Sequence, residues 1–330
     1  MTEYLIAGHW LASISFSARH DFSCIAESGL SRAQCLNRLE SALPRKVFEK
    51  IKEQTDETVS CPFITIADPR YPKELREIPC APPVLFYRGN LGLLDEPKVA
   101  IVGTRHCSTM AKNFTRRFAH TLSKAVCIVS GLAYGVDREA HLGSLPRTIG
   151  IAGQGLSVKF SAYQQTLLQN ILSAGGLLLS EFHPSQHAQK WTFVQRNRTI
   201  SGLSKALIVM EAPSRSGALI SAQNALDFNR EVYAVPNHPF HKNAHGCLRL
   251  LQEGAGLAIS PQQIIADLGL VWSDPILKAL EKPCSIGALA QMTGSSLPML
   301  LSKISELESD GLVENIGLFW QQKKRGYKEF

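Results

Sequence analysis

The sequence contains no Cys-x-x-Cys pair and no His or Cys cluster at zinc-ligand spacing. Its cysteines, at Cys24, Cys35, Cys61, Cys80, Cys107, Cys127, Cys247 and Cys284, are scattered along the chain. That pattern speaks against a structural zinc site and offers no disulfide framework. Cys127 lies in the apolar run Ala125–Val129, where a free thiol behaves as a small hydrophobe. No apolar run approaches the roughly 20 residues that span a bilayer. Met1–Trp10 carries Glu3 and no basic stretch, a poor secretory signal, so a reduced, cytoplasmic protein is expected. The P-loop signature is absent. No Gly-x-Gly-x-x-Gly fingerprint follows the apolar run Val99–Val102, and no acidic residue ends the next run to grip a ribose. Gly153-Gln154-Gly155 comes later, where that fingerprint has no established role. NAD, FAD and ATP are therefore not expected as ligands, and no cofactor or metal is.

What is present suits a globular protein of two or three domains: 330 residues, 45% of them hydrophobic. The formal charge is +7 and the pI about 9.0. This balance favours a polyanionic partner, although ordinary enzymes reach it too.

Residues 1–58 lack strand-like alternation. Tyr4–Ser15, Phe22–Ser28, Arg32–Leu39 and Pro44–Thr55 suggest short helices, hence a small helical domain. Cys61–Pro83 is rich in proline, and Phe63-Ile64 and Val84–Tyr87 stand ready to pair or pack. Beyond residue 98, short apolar runs alternate with helical segments. The runs are Val99–Val102, Val126–Val129, Thr148–Ala152, Leu177–Leu179, Ala206–Met210 and Val232–Val235. The helical segments include Met110–Lys124, Val136–Leu145, Ala162–Ser173 and Ala218–Asn229. Runs this short and this apolar predict strands buried on both faces, so the fold class is α/β, a doubly wound, mostly parallel sheet over 59–265. The pattern stops around Pro261–Pro275. Ile276–Leu280, Ser285–Met292 and Ser296–Ser309 then read as helices, Ser285 as an N-cap, and Leu312–Trp320 as a β-wing around Gly317. A winged-helix module over 275–322 is expected, with a helical cap on the sheet as the alternative.

In a doubly wound sheet, ligands bind at the carboxyl ends of the strands. After the first run comes Gly103-Thr104-Arg105, a close-approach glycine followed by a planar cation that suits a phosphate. A tight turn with a solvated arginine is the plainer alternative. The second run ends in Ser130-Gly131, before Asp137 and His141, which stand four apart on one helix face. That pair is open to an acid–base or a structural role. Arg196-Asn197-Arg198, expected to open a helix, could contact phosphates or pin Glu181 or Glu211. Ser216 is a natural N-cap for the helix after Ser214-Arg215.

Val99–Arg105, Ser130–His141, Arg196–Leu203 and Ser214–Gln223 together resemble the signature blocks of the DNA-processing protein A family (DprA/Smf). Tyr71-Pro72, Pro83–Gly89, Ser180-Glu181 and Gly246–Ala255 extend the match over about 62–260. The resemblance implies an extended Rossmann-like fold, a SAM-like helical N-terminus and a winged-helix C-terminus. It also implies a non-catalytic protein that binds single-stranded DNA, forms a homodimer, and delivers DNA to the RecA recombinase in natural transformation and recombination. Gly103, Thr104 and Arg105 map onto the family's phosphate-binding loop. Ser130, Gly131, Arg196, Asn197 and Arg198 map onto the neighbouring walls. Ala222, Leu226, Leu248 and Leu251 fall in the region for dimer and RecA contact.

Three positions depart from the family pattern, the mildest being Asn237 in place of the usual glycine after Pro236, since asparagine tolerates left-handed geometry. The family lysine after the third strand aligns with Ala162, leaving Lys159 as its substitute, and Phe160 replaces a tyrosine as a base-stacking candidate. Two other functions compete. A phosphoribohydrolase acting on nucleoside monophosphates needs a Pro-Gly-Gly-x-Gly-Thr-x-x-Glu run, and Ser214–Asn224 has no glutamate. A duplex-reading regulator needs a basic recognition helix, and Ser296–Ser309 has only Lys303 beside Glu306 and Glu308.

Overall fold

The computed structural model describes Arg45, residues 61–272 and residues 274–323. Apart from Arg45, the helical domain expected over residues 1–58 lies outside the described residues. The described chain forms two compact units, one from residues 61–123 and 127–259 and one from Lys124–Val126 and residues 260–323.

The first unit is built on a nine-stranded sheet. Its parallel strands are β3 (Lys98–Val102), β4 (Cys127–Gly131), β5 (Thr148–Ile151), β6 (Leu177–Ser180), β7 (Ala206–Val209), β8 (Glu231–Ala234) and β9 (Gly256–Leu257). They lie side by side in the order β6-β5-β4-β3-β7-β8-β9. Every residue of β3 to β7 is buried, as strands covered on both faces must be. Each buried Val, Ile or Leu side chain contributes roughly 1.5–3 kcal/mol. The proline-rich segment supplies β1 (Phe63–Thr65), the short helix α1 (Lys73–Arg76) and β2 (Val84–Gly89). β2 runs antiparallel along β6, and β1 along β2 with Phe63 opposite Phe86.

Parallel neighbours need crossovers, and helices provide them. They are α2 (Thr109–Leu122), α3 (Val136–Ser144), α4 (Ala162–Ser173), α5 (Lys190–Leu203), α6 (Gly217–Asp227) and α7 (His245–Gln252). Ser108 and Ser216 cap α2 and α6, their hydroxyls accepting from the Ala111 and Ala218 amides. The chain winds one way from β3 to β6 and then returns to place β7 on the other side of β3. That reversal is a topological switch point, where the loops after β3 and β7 diverge and leave a crevice.

The second unit contains α8 (Pro261–Asp267), α9 (Pro275–Ala279), α10 (Ile286–Thr293) and α11 (Leu297–Ser309). A hairpin follows, β10 (Val313–Ile316) and β11 (Phe319–Gln322). Ser285 caps α10 through its hydroxyl. Leu277, Leu289, Leu300, Ile304, Leu307 and Val313 form a core of the unit's own. Where the sheet pattern ends, the structure adds α8, a helix not expected from the sequence.

Candidate nucleic-acid interface

The loop after β3 does not present the anion cradle expected from its sequence. The Thr104 amide donates to the Glu211 carbonyl at 2.7 Å. At the start of α2 the Ser108 amide donates to the Glu211 carboxylate at 2.8 Å. Glu211, buried at the end of β7, thus occupies donors at a helix N-terminus that would otherwise attract a phosphate. Gly103 and Thr104 shape the loop, while Arg105 projects from it, exposed, with its guanidinium 5.8 Å from the Phe193 ring.

Two adjoining clefts open at this edge. The larger, about 400 Å³, is lined by Gly103, Arg105, Asp137, Arg196, Asn197 and Arg215 among others. The smaller, about 250 Å³, is lined by Tyr134, Gln154, Phe160 and Gln164 among others. Arg105, Ala133, Phe193 and Arg196 line both. Arg196 is only 6% exposed. Its Nη1 donates to the Ile151 carbonyl at 3.3 Å, and its Nε has no acceptor among the described residues. Buried donors are rarely left so.

Asp137 lies beside it, buried, accepting from the Ala133 amide at 3.4 Å. Burial pulls the Arg196 guanidinium below its ordinary pKa and pushes the Asp137 carboxyl above its own, each charge opposing the other's shift. Both groups lie against Gly131. A Cβ there would stand 1.7 Å from Arg196 Nη1 and 2.4 Å from Asp137 Oδ2.

The other expected site residues divide. Asn197 lines the larger cleft, but Arg198 turns away, donating to the Pro79 carbonyl with its guanidinium 5.7 Å from the Phe228 ring. The Arg196-Asn197-Arg198 block sits midway along α5 rather than at its start. Glu181 accepts from the Gln195 amide and the Thr199 hydroxyl, and Glu211 from the Ser108 amide, while Arg196 and Arg198 donate to backbone carbonyls. The Ser130 hydroxyl is buried and donates to the Ile101 carbonyl. Lys159 is exposed but lines neither cleft, and Phe160, 7% exposed, belongs mainly to the core. Ala222 is fully buried and presents nothing to a partner, whereas Leu226 is half exposed and Leu248 and Leu251 are partly so. Arg215, Phe193 and Tyr134 were not anticipated as site residues. Arg215 and Tyr134 both stand in glycine-containing loops after strands, a signal that was available.

Asp137 and His141 form no dyad. A carbonyl can only accept, so His141 Nε2–H donates to the Gly131 carbonyl at 2.7 Å, and Nδ1 accepts from the Thr148 hydroxyl at 2.7 Å. Burial pulls this imidazole down to about 4. A folded pKa below the unfolded one makes the stabilisation complete above the unfolded value of about 6.5, and it is lost as pH falls towards 4. Stability should therefore drop by up to about 3 kcal/mol over that window. Asp137, raised in the fold, contributes with the opposite sign, so the comparison needs a variant. Urea unfolding at pH 7 and pH 5 should show a smaller acid loss for His141→Gln, whose amide can make both bonds. Equal losses in the two proteins would remove His141 as the cause.

A doubly wound sheet with an arginine-rich crevice at its switch point defines a protein of the Rossmann-like class. The sequence profile described as DNA recombination-mediator protein A matches residues 62–269, and the chain belongs to that family. It is 41% identical over 209 residues to the DNA processing protein DprA of Streptococcus pneumoniae, covering 62% of this chain and 74% of that one. It is 31% identical over 335 residues to Protein Smf of Escherichia coli, covering 92% and 87%. Against Protein Smf of Synechocystis, 43% identical over 217 residues, the match takes in 63% of this chain and only 54% of the relative. Among solved structures, DprA from Streptococcus pneumoniae superposes with a TM-score of 0.71 at 33% identity, over 81% of this chain and 98% of that one. The structure of DprA from Helicobacter pylori, described by its single-stranded DNA binding mode, gives 0.58 at 31% identity, over 64% and 98%. The fold expected from the sequence, a mostly parallel α/β sheet, is that of these structures.

Proposed function

We propose that this chain binds single-stranded DNA across the two clefts at the switch point. The observation that carries this is the set of Arg105, Arg196 and Arg215 around one cleft, with Phe193 and Tyr134 beside them. Cations that track a phosphate backbone, interleaved with aromatic faces, match an unpaired strand, whereas a duplex keeps its base faces stacked and out of reach. The single-stranded DNA named for the Helicobacter pylori relative supports the same ligand. Gel shifts with one oligonucleotide, alone and annealed to its complement, test this. The single strand should bind more tightly, with affinity falling as salt rises; tighter binding of the duplex refutes the reading.

The finer assignments follow the resemblance. We assign the protein to the cytoplasm as a non-catalytic homodimer that passes its strand to RecA during transformation and recombination. Leu226, Leu248 and Leu251 are the accessible part of the contact region. Light scattering on the same preparation reads the dimer. The unit from Ser260 is assigned as a winged-helix module that contacts protein, since α11 carries Glu306 and Glu308 beside its one basic residue, Lys303.

A further inference from the structure

Tyr134 stands in the loop between β4 and α3, on the wall of the smaller cleft. Its ring is stacked on Tyr163, with centroids 3.5 Å apart and planes 17° from parallel. The Arg138 guanidinium lies 6.0 Å from the Tyr163 ring. Although one face is covered by this stack, Tyr134 keeps 53% of its surface open. The pair thus offers a supported, accessible ring to the cleft.

The backbone ties that ring to Arg105. Gly135 has φ of 77°, and a Cβ there would meet the Thr104 carbonyl oxygen at 2.4 Å and that of Arg105 at 2.7 Å. Only glycine lets the Tyr134 loop lie directly on the Arg105 loop. The Val136 amide then donates to the Thr104 carbonyl at 3.3 Å. Tyr134 and Arg105 are held together before any ligand arrives, and both line the smaller cleft. A nucleotide offers the matching pair of groups, a flat base and an anionic phosphate. Phe160, the residue that the sequence suggests for stacking, is too buried to serve.

Resting on the single-stranded DNA reading above, we propose that Tyr134, backed by Tyr163, is a stacking platform that takes one unpaired nucleobase into the smaller cleft beside a phosphate held by Arg105. The ring is already stacked and its loop already fixed, so little ordering cost remains at binding. Gln154 and Gln164 line the same cleft, each donating to a backbone carbonyl, at Val158 and Leu132. An amide presents both donors and an acceptor, so these side chains accommodate different base edges, and stacking is expected to tolerate any base.

Fluorescence anisotropy with a labelled oligothymidylate and an abasic strand of equal length tests the platform on the full chain. Tyr134→Leu should weaken binding of oligothymidylate about tenfold, within the range for one stacked base. It should leave the salt slope unchanged and the abasic strand bound as by wild type. Tyr134→Phe should bind both strands normally. Wild-type affinity of Tyr134→Leu for oligothymidylate overturns the platform. So does an equal loss on both strands, which would mean that Tyr134 only holds its loop. The underlying reading has a separate readout: Arg105→Glu that binds either strand normally refutes the DNA cleft itself, and wild type that binds neither strand refutes both.

Discussion

Arg105→Glu should reduce affinity for single-stranded DNA about a hundredfold, and Arg105→Ala about tenfold, while both remain as stable as wild type. The sizes follow from one charge-assisted hydrogen bond, worth about 1.5–3 kcal/mol, with repulsion added in the glutamate variant. Arg105 is exposed and its guanidinium lies on the Phe193 ring. Its tie to the buried Asp137 is a through-space charge interaction rather than a hydrogen bond, so stability should change by less than about 0.5 kcal/mol. Since Glu211 takes the Thr104 and Ser108 amides, the proposed phosphate contact should rest on the Arg105 side chain without those two donors. Arg105→Ala should flatten the log–log salt slope by roughly 0.7, the value for one phosphate on a single strand, and weaken all sequences alike. Lys159→Ala gives the comparison. Lys159 lines neither cleft, so its removal should leave the slope nearly unchanged. A larger slope change for Lys159→Ala than for Arg105→Ala would move the phosphate path outside the clefts.

Gly131→Ala should destabilise the protein by about 3 kcal/mol or more, beyond what a methyl group usually costs. The added Cβ would stand within covalent range of the Arg196 guanidinium and against Asp137. Backbone pairing holds Gly131 on one side, opposite Ile151, and the His141 ring bonds its carbonyl. The strand cannot shift, so the charged pair must. Pushing the buried Arg196 guanidinium off the Ile151 carbonyl and away from the neighbouring Asp137 charge leaves a poorly compensated buried cation, a loss of several kcal/mol. Gly217→Ala, at the start of α6 with nothing within 4 Å of its Cβ, is the control and should be neutral or slightly stabilising. Urea midpoints of the two variants decide this. If Gly131→Ala unfolds at the wild-type midpoint, Arg196 is not held as described.

Much of the fold was legible in the sequence. Apolar runs of four or five residues between helical segments announced strands buried on both faces, because only a sheet covered on both sides needs no polar alternation. Serines before helical segments marked caps at Ser216 and Ser285, and both hydroxyls accept backbone amides there. α5 was harder to read. Its buried side carries Thr192, Arg196 and Thr199, so it shows no apolar stripe for periodicity to detect. Its placement separates the two arginines: residues two apart on a helix face different ways, which sends Arg196 to the cleft floor and Arg198 to Pro79.

Local pattern determined the elements and the strand-end loops, because propensity, capping and burial periodicity act over a few residues. The tertiary structure alone decided which loops meet. β7 beside β3 brings Glu211 onto Ser108 from 103 positions away, and so closes the anion seat that Gly103-Thr104 seemed from sequence to offer. The same neighbourhood gathers Arg105, Arg196 and Arg215 from three separate segments, and lays Tyr134 beside Arg105. Contacts of that kind depend on strand order, and strand order leaves no trace in the spacing of residues along the chain.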